Sequence, residues 1–247
     1  IRDSSTSRWL GDVYKRQPLP LGNPNAGIQN VKKSSYVGDN MYNERLLAAK
    51  ELNKDFSKIF PQKQVRAYSD LYDNAMSLMK SKDLEAFDLT KEPQNLRDKY
   101  GADNFGQGCL LARRLVENKV RFVEVSYGGW DMHNDVFGNM ETRGAVLDSG
   151  LSSLLEDLEV RGLLSDTLVV VASEFGRSPE IKAGRVGRDH HPSAFSTFFA
   201  GGGIKQGYVY GKSDERAHYV EENGVDVPSI NATIAYAMGL SLSLIHI

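Results

Sequence analysis

Between Val120 and Ala172 the hydrophobic period changes twice, and few folds accommodate that order. Val120–Tyr127 (V-R-F-V-E-V-S-Y) alternates and is rich in β-branched residues, which predicts a strand. From Phe137 to Arg161, Val146, Leu147, Leu151, Leu154, Leu155 and Leu158 recur at helical spacing, and Gly162 ends the segment. Leu168-Val169-Val170-Val171-Ala172 then forms an unbroken apolar run, suited to a strand buried on both faces of a parallel sheet. Strand, long helix, strand is a βαβ unit with a right-handed crossover. A third strand is expected at Ala194–Ala200, closed by Gly201-Gly202-Gly203. A last helix is expected from Pro228 to Met238, with Gly239 as its stop.

The preceding sequence reads differently. Residues 18–42 are rich in Pro, Gly and Asn and predict loop. Helical patterns follow at Asn43–Phe60, Gln64–Leu84, Glu92–Tyr100 and Phe105–Asn118, with Pro61 between the first two. The expectation is one α/β domain over 18–241, with a helical part at 43–118 and an α/β part at 119–241. Its sheet should be open, largely parallel and flanked by helices. Residues 1–17 and 242–247 carry no clear apolar period. They resemble translated adapter read-through and are expected to be non-native tails.

Composition narrows the function classes. With 247 residues, 40% of them hydrophobic, the chain can bury a sizeable core. A net charge of −2 gives no basis for nucleic-acid binding. No apolar run approaches the roughly 20 residues that a transmembrane helix needs. The single cysteine, Cys109, excludes an internal disulfide and reads as a small buried hydrophobe. The patterns G-x-G-x-x-G, G-x-S-x-G and C-x-x-C are absent, so nothing points to a dinucleotide fold, a nucleophile elbow or a redox dithiol. His218 lies in a polar stretch and reads as solvated.

In open parallel sheets, ligands gather beyond the carboxyl ends of the strands. Gly128-Gly129-Trp130-Asp131-Met132-His133 follows the first strand, and Ser173-Glu174-Phe175-Gly176-Arg177 follows the second. Gly187-Arg188-Asp189-His190-His191-Pro192 precedes the third. Asp131 and His133 are two apart, so an extended backbone points both the same way. Asp, Glu and His together form a mixed oxygen and nitrogen ligand set that suits Zn, Mn or Fe. Asp131, His133, Glu174 and His190 are the candidate ligands, with His191 a further one. Asp189 is placed to orient a histidine through its other ring nitrogen. Arg177 or Arg188 could neutralise a substrate anion through a planar fork of donors. Each residue also has a plainer role: Asp131 as a helix or turn cap, Glu174 and Arg177 as a structural ion pair, one of the paired histidines bonded to backbone.

The stretches F-D-L-T-K-E-P (87–93), Y-G-A-D-N-F-G-Q-G-C-L-L-A-R-R-L-V-E (100–117), G-G-W-D-M-H (128–133), S-E-F-G-R-S-P (173–179), G-R-D-H-H-P (187–192), A-G-G-G-I-K-Q-G (200–207) and V-P-S-I-N-A-T-I-A-Y-A-M-G-L (227–240) resemble the bacterial family catalogued as domain of unknown function 1501. That family is grouped with the alkaline phosphatase and sulfatase superfamily. The resemblance implies a divalent-metal centre that hydrolyses phosphate or sulfate esters of a small molecule or glycan. Asp131-x-His133 is similar to the superfamily's first ligand element, though more closely spaced. Glu174-Phe175 stands where an Asp-His pair is usual, and His190 is similar to the later histidine. The superfamily's first-strand Asp and nucleophile would precede residue 18, so this chain is expected to hold the C-terminal portion of the domain. The family is also similar to exported, periplasmic proteins. The alternative reading is a non-catalytic exported protein that keeps the fold, with or without a structural metal.

Overall fold

The computed structural model describes residues 20–28 and 31–241. The tails expected at 1–17 and 242–247 lie outside the described residues. The chain divides into two compact units after Asp88.

The first unit is a helical hairpin of α1 (Asp39–Ile59) and α2 (Lys63–Met79). The break falls at Phe60-Pro61-Gln62, where proline cannot continue the hydrogen-bond ladder. The helices are antiparallel: the Tyr42 hydroxyl, near the start of α1, lies 3.8 and 3.6 Å from the sulfurs of Met76 and Met79 near the end of α2. Tyr42, Leu46, Ala49, Asn53 and Ser57 form the half-buried stripe of α1; Val65, Ser69, Tyr72, Met76 and Met79 form that of α2. The sequence predicted the second helix to reach Leu84, but it stops at Met79. There Ser81 accepts from the Asp83 backbone N–H and starts a 3-10 segment, Lys82–Phe87, because Ser favours caps over helix interiors.

The core of the second unit lies between α4 (Asn104–Glu117) and α5 (Val136–Val160), with the short α3 (Gln94–Lys99) ahead of them. Tyr100, Leu110 and Leu158 are fully buried, and Cys109, Leu111, Leu115 and Leu154 lie beside them in the buried set. Each buried leucine contributes about 2 kcal/mol relative to exposure. Burial pushes the Cys109 thiol up to about 12, in keeping with an apolar role. Asp103 caps α4 by accepting from the N–H groups of Phe105 and Gly106, both at 2.9 Å. At its other end Lys119 takes a left-handed conformation, and the Val120 N–H returns to the Leu115 carbonyl. Gly162 and Gly239 end α5 and α6 (Val227–Ala237) the same way, as their sequences predicted. A side chain at Gly150 would stand 2.8 Å from the Phe105 ring, so glycine is what lets that ring lie against α5.

One cation is sealed into this core. Arg113 is 1% exposed and meets Glu92 at 2.7 Å, Glu117 at 2.7 Å and Asp157 at 2.8 Å. Arg114 also pairs with Glu92, and Arg161 with Asp157 and Glu117. The Tyr100 hydroxyl donates to Asp157 at 3.0 Å. Three arginines thus face three carboxylates, and the network ties α4, α5 and the segment before α3 together. Burial works to raise the Glu92 and Asp157 carboxyls, but the arginines outweigh it and hold both below the usual range.

The molecule mixes helix and sheet, but the expected parallel sheet is not what forms among the described residues. Strand β1 (Leu168–Val171) pairs antiparallel with β4 (Phe198–Gly201), with Leu168 opposite Gly201 and Val171 opposite Phe198. A hairpin of β2 (Gly176–Arg177) and β3 (His190–His191) lies between them in sequence. A last pair joins β5 (Lys212–Ser213) to β6 (Val220–Glu222), also antiparallel. The intervening hairpin brings the chain back in the opposite direction, whereas a parallel partner needs a full crossover. β1 is half-buried throughout rather than covered on both faces. Val120–Tyr127 keeps the predicted alternation, with Val123, Val125 and Tyr127 half-buried and Phe122, Glu124 and Ser126 exposed, yet it joins no described ladder. Alternation fixes which side of a segment faces the core; it does not supply a neighbour. No described helix is long and apolar enough to cross a membrane.

Candidate metal centre

The three loops singled out by sequence meet at one place. The chain from Met132 to Val136 is stitched to residues 185–188 by backbone bonds: Arg188 N–H to the Met132 carbonyl, Asp135 N–H to Arg185, and Val136 N–H to Val186, at 3.1, 3.1 and 2.8 Å. The contact is so close that a side chain at Gly187 would lie 1.9 Å from the His133 carbonyl oxygen, so only glycine fits. On the first loop Met132 is buried, while Asp131 and His133 on either side turn outward together, as two-residue spacing requires. The β2–β3 hairpin delivers the third residue. Arg177 stands opposite His190 and Gly176 opposite His191, so Arg177 and His190 share one side and His191 takes the other.

The Nε2 atoms of His133 and His190 lie 3.0 and 2.8 Å from Oδ1 of Asp131, and 3.2 Å from each other. Arg177 donates to the same oxygen at 2.6 Å. One carboxylate oxygen offers about two lone-pair sites, so three donors crowd it, while two imidazole nitrogens also confront one another. A single cation among the three atoms removes that conflict, because each then presents a lone pair. The spacing fits: tetrahedral bonds of about 2.0–2.1 Å place ligand atoms about 3.3 Å apart. The hydrogen bond from His190, and then that from Arg177, holds the Asp131 carboxyl down at about 2. It is therefore an ionised, ready ligand at neutral pH.

Asp189 lies 3.4 Å from Nδ1 of His133, on the ring edge away from the centre, and is itself held by Lys182 at 3.1 Å. Lys182 foremost, then His133 and Arg185, keeps the Asp189 carboxyl below its usual range. A carboxylate on the outer nitrogen fixes the tautomer that leaves Nε2 free for a metal. Arg177 bridges Asp131 to Glu174, whose Oε1 lies 3.3 Å from its other amino group, so Glu174 stands one guanidinium away from the centre. Phe175 lies against His190 at 4.4 Å between ring centroids and under Arg177 at 5.4 Å. Arg188 points elsewhere, donating to the carbonyls of Ser178 and Pro179 at 2.7 and 2.6 Å.

His191, facing the other way, donates through Nε2 to the His218 carbonyl at 2.6 Å. His218 lies 2.6 Å from Glu180, which accepts from the Ser178 hydroxyl at 2.6 Å. His218, expected from its polar neighbourhood to be solvated, instead belongs to this cluster. The available signal was the hairpin's alternation, which sends adjacent histidines to opposite sides.

The first loop is held by rings and by one arginine. Tyr127 stacks on Phe105 at 4.6 Å and meets Trp130 edge-on at 5.4 Å. Arg143, on α5, donates to the Gly128 carbonyl at 2.9 Å. Asp135 caps the same helix through the Gly138 N–H.

No curated protein and no solved structure matches the chain. Residues 2–245 match the family described as Protein of unknown function (DUF1501), and the chain belongs to that family.

Proposed function

We propose that Asp131, His133 and His190 bind one divalent transition metal, Zn, Mn or Fe. We propose further that the domain belongs to the alkaline phosphatase and sulfatase type and hydrolyses phosphate or sulfate esters outside the cytoplasm. The convergence of two imidazole nitrogens on one carboxylate oxygen carries the metal reading; the ester chemistry rests on the motif resemblance. Two imidazoles and one carboxylate leave coordination positions open, as a catalytic rather than a closed structural site requires. A metal held by Asp131, His133 and His190 would supply Lewis-acid chemistry to an ester substrate. Arg177 then has a second role: a substrate oxyanion competes with Asp131 and Glu174 for its guanidinium, whose fork of donors matches a phosphate or sulfate edge. Such binding would release Glu174 from Arg177. Asp189 keeps the His133 ring oriented.

A second reading, a non-catalytic protein with a structural metal, is favoured by the Phe175–His190–Arg177 stack. It places an apolar ring where the superfamily has a ligand pair, and it fixes the arginine against two carboxylates.

Elemental analysis of the purified wild type beside Asp131→Ala and His190→Ala tests the centre. Near-stoichiometric metal, lost in both variants with an unchanged circular dichroism spectrum, is the expected result. A folded wild type that stays metal-free after supplementation would overturn it. Aryl phosphate and aryl sulfate assays on the loaded protein then separate the two readings: turnover abolished by Arg177→Gln supports the hydrolase, and a loaded protein inert to both ester classes supports the structural metal.

A further inference from the structure

The helical hairpin of the first unit carries a second apolar stripe that the hairpin itself does not cover. At roughly 100° per residue, Met41, Ala48, Leu52, Phe56 and Ile59 cluster on α1 about a quarter turn from the stripe that faces α2. Tyr68, Leu71, Ala75 and Leu78 do the same on α2. Viewed along its own chain, each second stripe is displaced from the inner one in the same rotational sense. Because the helices run in opposite directions, both stripes emerge on one side of the hairpin. That side is exposed: Leu52 and Ile59 are each 71% accessible, Tyr68 is 68% and Leu71 is 66%. Contiguous apolar surface of this size marks an interaction site.

The pattern along α1 indicates the occupant. Reversing the helix about the level of residue 50 brings Met41 level with Ile59, small Ala48 level with large Leu52, and Arg45 level with Asp55. An antiparallel copy therefore sets four of the five apolar residues of the stripe at matching heights, small beside large, and Arg45 level with Asp55, which also pairs with Lys58 on its own helix; Phe56 falls level with Glu44. A parallel copy would set Arg45 level with Arg45 and Asp55 with Asp55. The α2 share of the face carries no charge to oppose either arrangement. The large side chains of the face expose on the order of 800 Å² per copy, the share one partner contributes to a standard stable interface. We propose that this face is a self-association surface, on which two copies of the chain join hairpin to hairpin, α1 antiparallel to α1 about a two-fold axis.

Sedimentation equilibrium of the full chain reads this directly. The wild type is expected at twice 27.4 kDa, and Leu52→Glu is expected to weaken dimerisation at least tenfold while helical content stays constant. The charges supply a second, independent test. Arg45→Asp sets like charges at the same height and weakens the dimer, and the double exchange R45D/D55R restores it, whether or not Leu52→Glu folds well. A wild type that is monomeric across the accessible concentration range overturns the proposal. So does a dimer indifferent to both Leu52→Glu and Arg45→Asp, whose interface lies on another surface.

Discussion

Replacing Arg113 with methionine keeps most of the side chain's volume and removes its charge. Three carboxylates then lose a partner at 2.7–2.8 Å. They are not equally harmed. Glu117 is 41% exposed and recovers solvation, whereas Glu92 and Asp157, at 8% and 11%, do not. Each of those two keeps one arginine, Arg114 and Arg161 respectively. Breaking a buried pair costs 3–5 kcal/mol, and the remaining arginines place this case at the lower end, at about 3 kcal/mol. For a domain of this size that lowers Tm by about 6–12 °C. The loss should also depend on pH. Folded-state pKa values below the ordinary 4.5 and 3.8 mean that Glu92 and Asp157 contribute stability above those values and lose it as pH falls through the folded ones. Without Arg113 both carboxyls rise, so the acid dependence flattens and the gap between wild type and variant narrows below about pH 4. Calorimetric melts of both proteins at pH 7 and pH 3.5 measure this. A variant within about 1 kcal/mol of wild type at pH 7, or a gap that does not narrow in acid, would refute the reasoning.

Two further predictions concern the centre. Asp189→Asn removes the charge behind His133 and should weaken metal binding about 10- to 100-fold without changing the melting profile, read by competition with a chromophoric chelator. Arg177→Met should leave metal content intact or raise affinity, because it frees Oδ1 of Asp131, while ester turnover falls by at least about 100-fold; loss of metal instead would make Arg177 a structural support of the site.

The helices were legible because each carries its own apolar period, although the first begins at Asp39 rather than Asn43 and the second ends at Met79 rather than Leu84. Gly162 and Gly239, read as stops, supply the left-handed residue that ends a helix, whereas the caps at Asp103 and Asp226 emerge only from the structure. The three site loops were legible because Asp131, His133 and His190 follow or precede apolar runs. What the sequence did not reveal depends on partners distant along the chain. Val120–Tyr127 shows which residues face inward but not what lies beside it. The run at Leu168–Val171 suggested parallel neighbours, yet its observed neighbour, Phe198–Gly201, runs the other way. Arg188 and Arg177 look alike in sequence, and only the folded chain separates the one that binds loop carbonyls from the one that meets Asp131. Arg113 shares a helix face with buried leucines, and its carboxylates arrive from 21 residues before and 44 residues after it.

The loop that carries Asp131 and His133 is fastened at both ends to the same helix. Arg143 grips the Gly128 carbonyl at one end, and Asp135 caps the first turn at the other. The stretch between those two fastenings is also bonded, backbone to backbone, to residues 185–188 just ahead of His190. Helix and hairpin are therefore coupled through the very loop that carries Asp131 and His133. A substitution that loosens either fastening should shift all three side chains of the candidate centre together.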